Sequence, residues 1–237
     1  YLNIEEDMYI TELQAVAPLG THHTVLSVSE TYNGPNKEEA CGVNTIAEQL
    51  VYASGVGTEP YALPEGVAMK LSAGQTLQLQ LHLFNVSDQT LAGTSGIGVK
   101  VTPAEDVQNI AEFVFAGTFA FAIPGNGVDY TATGRCTIDN PGTIFTLWPH
   151  MHQVGTHMTI SHNGDMKLDT PYDFNEQKMY PITPFEVAQG DSIDVGCTWN
   201  NPQGNATKFF GDASNDEMCF GGFYRYPATG SAAFCTD

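Results

Sequence analysis

Six residues of this 237-residue chain have the side-chain types and the grouping expected of metal ligands. They fall into a first set of His22, His23 and His82 and a second set of His150, His152 and Met218. Three imidazoles suit copper in either oxidation state, whereas two imidazoles and a thioether favour the softer cuprous ion. The sequence therefore predicts two copper sites that bind the same metal with different chemistry.

The segments that carry these histidines are predicted to be β-strands. From Lys70 to Leu83, odd-numbered leucines alternate with even-numbered Thr and Gln, which places His82 on a polar face. The run from Thr143 to His152 puts His150 and His152 at positions i and i+2. Side chains two apart share one face of a strand, so both rings of this HxH pair can reach the same metal.

Each motif also has a simpler interpretation. Adjacent His22 and His23 point to opposite faces of a regular strand, so sharing one ion requires a strand end, a bulge or binding through different ring nitrogens. A lone His82 is more often solvated or hydrogen-bonded than a ligand, and Met218 alone is more often core packing. The HxH pair suits zinc, iron or nickel as well as copper. The copper assignment therefore depends on the motifs taken together.

The composition indicates a mostly β protein. The chain has 24 Gly and 13 Pro together with frequent Val, Thr, Phe and Tyr, as in short strands separated by turns. Asn163-Gly164 is a hairpin signal, and Lys37 to Tyr52 is the one stretch that suggests a short helix. The polar segment from Pro103 to Gln108 is the best candidate for a linker, which predicts domains at residues 1–106 and 107–237.

The charge balance excludes some partners. Only 8 Lys and Arg oppose 27 Asp and Glu, and the formal net charge of −19 repels phosphate backbones and anionic membranes. The most apolar stretch, Phe113 to Pro124, is too short to span a bilayer. These features predict a soluble chain with a small-molecule partner, no nucleic acid and no membrane span.

Cysteine usage indicates an oxidising compartment. Five cysteines without a CxxC motif argue against a thiolate zinc site and for disulfides. The chain begins at Tyr1 rather than Met, which indicates processing or trimming and a signal peptide already removed. A secreted or periplasmic location is predicted. The two sequons, Asn85-Val86-Ser87 and Asn205-Ala206-Thr207, apply only if a eukaryote secretes the protein.

Four segments carry the ligands, in the order His22-His23-Thr24, Leu79-Gln80-Leu81-His82-Leu83-Phe84-Asn85, Trp148-Pro149-His150-Met151-His152 and Asp216-Glu217-Met218-Cys219. Together they resemble the series found in copper type II, ascorbate-dependent monooxygenases. Flanking segments are similar as well, among them Leu63-Pro64-Glu65-Gly66-Val67 and Asp194-Val195-Gly196-Cys197-Thr198. Single motifs are weak, but their joint order extends the resemblance over nearly the whole chain.

The resemblance implies two tandem antiparallel, jelly-roll-like β-sandwich domains that face each other across a cleft, each with one copper ion. The first set would hold an electron-donating copper. The second set would be catalytic, with dioxygen and ascorbate used to hydroxylate a C–H bond of a small organic substrate. Two other classes remain open: a non-catalytic copper-binding or copper-delivery protein with the same fold, and a structural β-sandwich with incidental histidines.

The cysteines extend the resemblance. It implies one disulfide between Cys136 and Cys235 and another between Cys197 and Cys219, the second of which would fix the strand beside the methionine ligand. Cys41 has no partner in this scheme, because its counterpart in the family would precede the first residue.

The chain departs from the family at the predicted substrate pocket. Trp148 stands where the peptidylglycine-hydroxylating members have an arginine that holds the substrate carboxylate, and Phe220 replaces a polar side chain. Gln80 does match a family residue. With Trp148, Phe220 and Gln80 as substrate-binding residues, a typical peptidylglycine substrate is a poor candidate. An aromatic wall and a negative net charge instead favour a neutral or amine-bearing substrate.

Overall fold

The computed structural model describes residues 1–29, 32–40, 49–55, 58–83, 85, 88–211, 213–230 and 234–236. Regular structure in these residues consists of β-strands and a single 3₁₀ turn at Ala104–Asp106. The predicted all-β class is confirmed. The described part of the chain has no helix of the length and apolar character needed to cross a membrane.

The chain divides into two compact units. The first unit comprises Tyr1–Phe113 and Tyr226–Ala233, and the second unit comprises Val114–Arg225 and Phe234–Asp237. Each unit therefore consists of one long segment and one short segment from the C-terminal region of the chain. The domains expected at residues 1–106 and 107–237 stay a prediction.

The first unit contains two groups of paired strands. Its strands are β1 (Leu2–Asn3), β2 (Met8–Val16), β3 (Thr21–Ser29), β4 (Gln49–Ser54), β5 (Tyr61–Ala62), β6 (Val67–Leu71), β7 (Thr76–Leu83) and β8 (Gly96–Val101). One sheet has the order β1-β7-β3-β4, and in the other β2 pairs with β5, β6 and β8, all antiparallel. Ile10 and Leu13 of β2 and Tyr52 of β4 are fully buried, so both sheets supply the core.

The boundary between the units falls inside β9 (Asn109–Gly117). Its first residues pair in parallel with β6, where Asn109 lies opposite Val67. A parallel pair needs a crossover connection of a dozen or more residues, which the chain through β7 and β8 supplies. The predicted antiparallel arrangement therefore has an exception at this strand.

The second unit also contains two groups of paired strands. Its remaining strands are β10 (Asp129–Thr137), β11 (Gly142–His150), β12 (Gly155–His162), β13 (Asp165–Pro171), β14 (Tyr180–Val187), β15 (Ser192–Asn200), β16 (Phe220–Tyr226, whose last residue belongs to the first unit) and β17 (Phe234–Cys235). One sheet has the order β10-β15-β12-β13, and the other contains β14, β11, β16, the end of β9 and β17.

Burial along two strands shows how these sheets make a core. In β15 every second residue is buried, and the inward residues end with Cys197 and Trp199, both with no exposed surface. In β11 all residues from Thr143 to Pro149 are buried, so both faces of this strand are covered. Alternating burial is typical of a sheet with one solvated face, and continuous burial of a strand packed on both sides. The second ligand set begins at the end of this fully buried strand.

The hairpin predicted at Asn163-Gly164 is confirmed. It joins β12 to β13, and both residues have positive φ angles, 49° and 83°. Two consecutive residues with positive φ define the type I′ turn that suits the twist of a two-residue hairpin.

The predicted faces of β7 are wrong in part. Polar Thr76 and Gln78 are buried, whereas Leu79 and Leu83 are 36% and 62% exposed. The hydroxyl of Thr76 donates a hydrogen bond to Asn3 Oδ1, which satisfies the polar group in its buried position. Burial in this strand therefore follows its neighbours rather than the alternation of leucine.

The predicted short helix from Lys37 to Tyr52 is wrong where the structure describes it. Residues 49–54 form β4, an antiparallel partner of β3, and Val51 and Tyr52 are buried. Tertiary pairing and burial decide the conformation of such a short segment more than helix propensity does. Residues 41–48, including Cys41, and residues 86–87 of the first sequon lie outside the described residues.

Candidate metal centres

The first set is organised by the pairing of β3 with β7. His23 and His82 lie directly opposite each other in the antiparallel register. The register shifts between Thr21 and His23, so that two steps along β3 match one step along β7, from Leu83 to His82. The extra residue is His22, which makes this position a β-bulge. A bulge is one of the three arrangements predicted above that would allow adjacent histidines to share an ion.

The rings of His23 and His82 are close enough to share a metal. Their Nδ1 atoms are 3.3 Å apart, and the ring centroids are 4.6 Å apart with an angle of 74° between the planes. Two nitrogen ligands about 2.0 Å from a tetrahedral ion lie about 3.3 Å from each other. The distance between the two Nδ1 atoms therefore matches that of two ligands of one metal ion. The side chain of His22 is not among the described ones.

The second set is brought together differently from the predicted arrangement. Strand β11 ends at His150, so His152 lies beyond it rather than two positions along the same strand. The two ring centroids are nonetheless 5.3 Å apart, with the planes nearly perpendicular. The backbone N–H of His152 donates to the buried carboxylate of Glu217 at 2.9 Å instead of to a strand partner. The His152 N–H is therefore paired with a side chain outside the strand.

Hydrogen bonds place a proton on the Nδ1 atom of both rings. Gln177 Nε2 donates to the Phe174 carbonyl, which turns its Oε1 towards His150 Nδ1 at a distance of 3.0 Å. An amide oxygen only accepts, so His150 Nδ1 carries the proton. His152 Nδ1 lies 3.3 Å from the Asp216 carbonyl oxygen and is likewise the donor. With the proton on Nδ1, Nε2 is the nitrogen of each ring that carries the lone pair when the ring is neutral, the form in which histidine binds a metal.

The electrostatic surroundings also favour the neutral ring of His150. Burial and the neighbouring His152 lower the pKa of His150 from 6.5 to about 3, against the opposing effect of the Gln177 hydrogen bond. A metal binds imidazole only after its proton has left, so a lowered pKa removes that competition at neutral pH.

The backbone on both sides of Met218 is fixed. Before it, the Glu217 N–H donates to the Phe209 carbonyl, and after it, the Cys219 carbonyl accepts from the Thr118 N–H at 3.1 Å. A side chain at Gly117 would collide with that same carbonyl, so glycine is needed for this close approach. Met218 itself is partly exposed. The segment that carries its thioether is therefore held in part by residues that are far away in the sequence.

Glu217 connects the two parts of the second set. Its side chain is fully buried, and its Oε2 accepts from the His152 N–H and from Trp199 Nε1, both at 2.9 Å. Its Oε1 accepts from the Val154 N–H at 2.8 Å. Burial raises the pKa of the Glu217 carboxyl above its ordinary value, while these donors and the Met218 N–H act to lower it.

The second unit contains two disulfides. They join Cys136 to Cys235 and Cys197 to Cys219, with sequence separations of 99 and 22 residues. These are the pairs that the family resemblance implies. The second bridge ties the residue after Met218 to strand β15, and both of its cysteines are fully buried.

The residues predicted to contact substrate are mostly buried. The indole of Trp148 stacks on the His150 ring, with centroids 5.1 Å apart, and is 3% exposed. Phe220 is 1% exposed and packs with Phe115, which also contacts Trp148. Trp148 and Phe115 therefore contact the His150 ring, and Phe220 packs against Phe115. Gln80 lies in the first unit, opposite Val25 in the β3–β7 register. Their substrate-binding roles stay predictions.

Sequence reasoning missed the residues that hold the ligands. Gln177 lies in a loop 27 residues from His150, and no local pattern indicates their contact. Glu217 had one signal, a carboxylate next to Met218 in a segment that continues into apolar residues. In the part of the chain that the structure describes, no cluster of three or more His, Cys, Asp or Glu is arranged to hold a metal. The second set has two histidines, and its third member is a thioether.

Comparisons with known proteins point to one family. Residues 108–237 match the family model described as copper type II ascorbate-dependent monooxygenase, C-terminal domain. The chain is 23% identical over 215 residues to tyramine beta-hydroxylase of Caenorhabditis briggsae and 26% over 222 residues to dopamine beta-hydroxylase of Rattus norvegicus. These matches cover 82% and 84% of this chain and 36% of each relative. The chain thus spans about a third of the length of these curated relatives.

Proposed function

The chain belongs to the copper type II, ascorbate-dependent monooxygenases, and from this we propose that it hydroxylates a C–H bond of a small organic substrate. One copper ion in each unit, dioxygen as co-substrate and ascorbate as reductant complete the proposal. The observation that carries it is the pair of fixed rings in the second set. His150 and His152 each use Nδ1 to donate to an oxygen, so Nε2 is the nitrogen through which each ring would bind a metal.

The two ligand sets would have different roles. Copper supplies the activation of dioxygen and the transfer of electrons from the reductant. In the second set, His150 and His152 would bind the metal through Nε2, and the softer thioether of Met218 favours the cuprous state. In the first set, the imidazole ligands His23 and His82 are held by paired strands and suit both oxidation states.

The basic residues of the second unit support a neutral or amine-bearing substrate. This unit has five Lys and Arg residues, and each of them contacts an acidic side chain or a backbone carbonyl. The pairs are Arg135 with Asp194, Lys167 with Asp165, Lys178 with Glu176, Lys208 with the Asn215 carbonyl, and Arg225 with the Asn140 and Pro141 carbonyls. A buried substrate carboxylate needs a cationic or multiply hydrogen-bonded partner. Two relatives are named as hydroxylases of the amines tyramine and dopamine, which agrees with this proposal.

The disulfides support a location outside the reducing cytosol. Two bridges in one unit are typical of proteins that fold in an oxidising compartment. We place the protein in the secreted or periplasmic class.

Oxygen uptake tests the proposed function. The protein is loaded with copper, and uptake with ascorbate is compared for a phenethylamine-type compound and a glycine-extended peptide. We expect the amine alone to be hydroxylated efficiently. Met218→Ile should abolish turnover and the second copper while keeping the first. Met166→Ile, a change at an exposed methionine of the same unit, should leave both coppers and the activity unchanged.

Two results would contradict the proposal. Full activity of Met218→Ile, or zinc as the only native metal, would remove the assignment of the second set. Two tightly bound coppers with no turnover of any amine would favour the alternative, a copper-binding or copper-delivery protein with this fold.

A further inference from the structure

Both tryptophans of the chain lie next to the second ligand set. The ring of Trp148 stacks on the ring of His150, with centroids 5.1 Å apart. Trp199 Nε1 donates to Glu217 Oε2 at 2.9 Å, and the same oxygen accepts from the His152 N–H at 2.9 Å. Indole is among the side chains that lose an electron most readily. Each histidine of the second set is therefore connected to an oxidisable ring, one by stacking and the other by two hydrogen bonds.

Trp199 is in turn paired with a second oxidisable ring, the phenol of Tyr130. The two residues lie directly opposite each other in the antiparallel pair of β10 and β15. Their ring centroids are 6.1 Å apart, with an angle of 34° between the planes. Trp199 has no exposed surface, whereas Tyr130 is partly exposed on β10, an outer strand of its sheet. The contacts therefore form a continuous path from His152 to the protein surface.

The packing of Trp148 on its apolar side does not extend such a path. Its ring contacts Phe115, with centroids 5.8 Å apart, and Phe115 packs in turn on Phe220 and Phe234. A phenyl ring is much harder to oxidise than indole or phenol, because it has no nitrogen or oxygen lone pair to stabilise the radical. Electron transfer from the surface towards the second set is therefore favoured through Tyr130 and Trp199.

From these contacts, and resting on the proposed function, we propose that Tyr130 and Trp199 form a relay that removes oxidising equivalents from the second copper site. The relay is needed when reduced copper reacts with dioxygen while no substrate is bound. A one-electron oxidant formed in that reaction would otherwise attack the ligands themselves, and oxidation of a methionine converts its thioether into a polar sulfoxide.

Each step of the relay transfers one electron. Trp199 gives an electron to the oxidant at the second site and keeps its N–H proton in the hydrogen bond to Glu217. Tyr130 then gives an electron to the oxidised indole and its phenolic proton to water, which its partly exposed position allows. Ascorbate, the reductant of the proposed function, returns one electron and one proton to the tyrosyl radical. The protein is thereby restored, and the oxidant has been reduced without damage to a ligand.

The first experiment tests the ring pair in metal-free protein. Tyr130→Phe keeps the aromatic packing and removes only the hydroxyl. Tyr9→Phe, at a partly exposed tyrosine of β2 in the first unit, is the matched control. Flash photolysis with light that only tryptophan absorbs is used to follow the tryptophanyl and tyrosyl radicals by their absorbance. In wild type, we expect the tyrosyl radical to form at a rate independent of protein concentration. Tyr130→Phe should lose this phase, and Tyr9→Phe should keep it.

Trp199→Phe provides a second variant with the phenol in place. It should lose the same kinetic phase, because the indole that exchanges an electron with Tyr130 is gone. An unchanged phase in either Tyr130→Phe or Trp199→Phe would overturn the relay, whichever of the two variants folds.

The second experiment tests protection of the ligands in copper-loaded protein. The copper is reduced, excess reductant is removed, and the protein is exposed to dioxygen and a spin trap without substrate. Peptide mass spectrometry should locate the trap on Tyr130 in wild type, and added ascorbate should suppress this adduct. In Tyr130→Phe, we expect more oxidation of the ligands His150, His152 and Met218 and faster loss of the second copper. Tyr9→Phe should match the wild type.

The outcomes separate this inference from the proposed function. If Tyr130→Phe shows no more ligand oxidation than the wild type, the protective role is wrong and the proposed function stands. Equal damage in Tyr9→Phe and Tyr130→Phe would also overturn it, because the effect would then be general to tyrosine loss. Wild type that binds no copper at the second set would overturn the proposed function and the protective role together. Electron exchange between the two rings is decided by the metal-free measurement in every case.

Discussion

The two ligand sets are built in different ways. In the first unit, His23 and His82 are partners in an antiparallel strand pair, so the sheet register brings the rings together. In the second unit, one histidine ends a strand and the other lies beyond it, while Met218 lies on a separate segment. Side-chain hydrogen bonds and a disulfide hold those parts.

This difference indicates which contacts each site depends on. A register is maintained by many backbone hydrogen bonds, so a change in one surrounding side chain should have little effect on the first set. The second set depends on individual side chains such as Gln177 and Glu217, so the loss of one of them should change the position of a ligand. Residues that orient metal ligands typically change affinity by about 10- to 100-fold when mutated.

The largest effect is expected from the disulfides of the second unit. Replacing both cysteines of Cys136–Cys235 with serine should lower the free energy of unfolding by about 4 to 5 kcal/mol, because a loop of 99 residues is opened. The shorter loop of Cys197–Cys219 predicts about 3 kcal/mol, and this change should also release the second copper. Urea denaturation with metal analysis would measure both. Loss of the first copper in either variant would contradict the independence of the two sets.

The bulge at His22 offers a way to break the first set alone. Deleting this residue should restore a regular register between β3 and β7 and reduce copper affinity at the first set by more than about 100-fold. His22→Ala keeps the bulge and removes only the imidazole, so it separates the shape of the strand from the ligand. Metal analysis of both variants is the measurement, and two bound coppers in the deletion variant would refute the role of the bulge.

Gln177 should have a smaller effect, confined to the second set. Gln177→Leu removes the acceptor that fixes the Nδ1 proton of His150, so copper affinity at that set should fall by about 10- to 100-fold. Gln203→Leu, at an exposed glutamine of the same unit, is the control. Chelator competition would show the difference. Equal affinities in the two variants would mean that the ring is held by other contacts.

The smallest effect is expected at low pH, from Asp191, which is hydrogen-bonded to the β12–β13 hairpin. Hydrogen bonds from the Ala188 N–H, Asn163 and His162 lower the pKa of Asp191 to about 2. An aspartate with an unfolded pKa of about 3.9 then stabilises the fold above that pH, and this contribution is lost as pH falls towards 2. Urea midpoints measured between pH 5 and 2 should fall less steeply for Asp191→Asn. An exposed aspartate changed in Asp139→Asn is the control and should follow the wild type.

Local features of the fold were predictable from sequence. Asn163-Gly164 predicted its hairpin because turn geometry depends on those two residues alone. The even positions of β7 were misassigned because Gln78 is buried by neighbours that no local pattern shows. Residues 49–52 form a strand for the same reason, since pairing with β3 is a long-range contact.

The candidate sites show the same limit. The ligand types were evident from the sequence, and the adjacency of His22 and His23 predicted a strand end, a bulge or binding through different ring nitrogens, of which the structure shows the bulge. The position of His152 beyond its strand was not predictable, because a carboxylate 65 residues away binds its backbone. Gln177 gave no signal at all. Sequence therefore identified what could bind a metal, and structure was needed to identify what holds it in place.

The two disulfides are nested, with Cys197–Cys219 inside the loop closed by Cys136–Cys235. This order matters during biosynthesis. At roughly 5 to 20 residues per second, Cys136 is synthesised about 5 to 20 seconds before its partner. During that interval Cys197 and Cys219 are both synthesised, and oxidation of either one together with Cys136 by the thiol oxidants of the compartment would form a non-native bridge. Correct maturation of the second unit should therefore depend on a disulfide isomerase, and the yield of protein made without one would show how strongly.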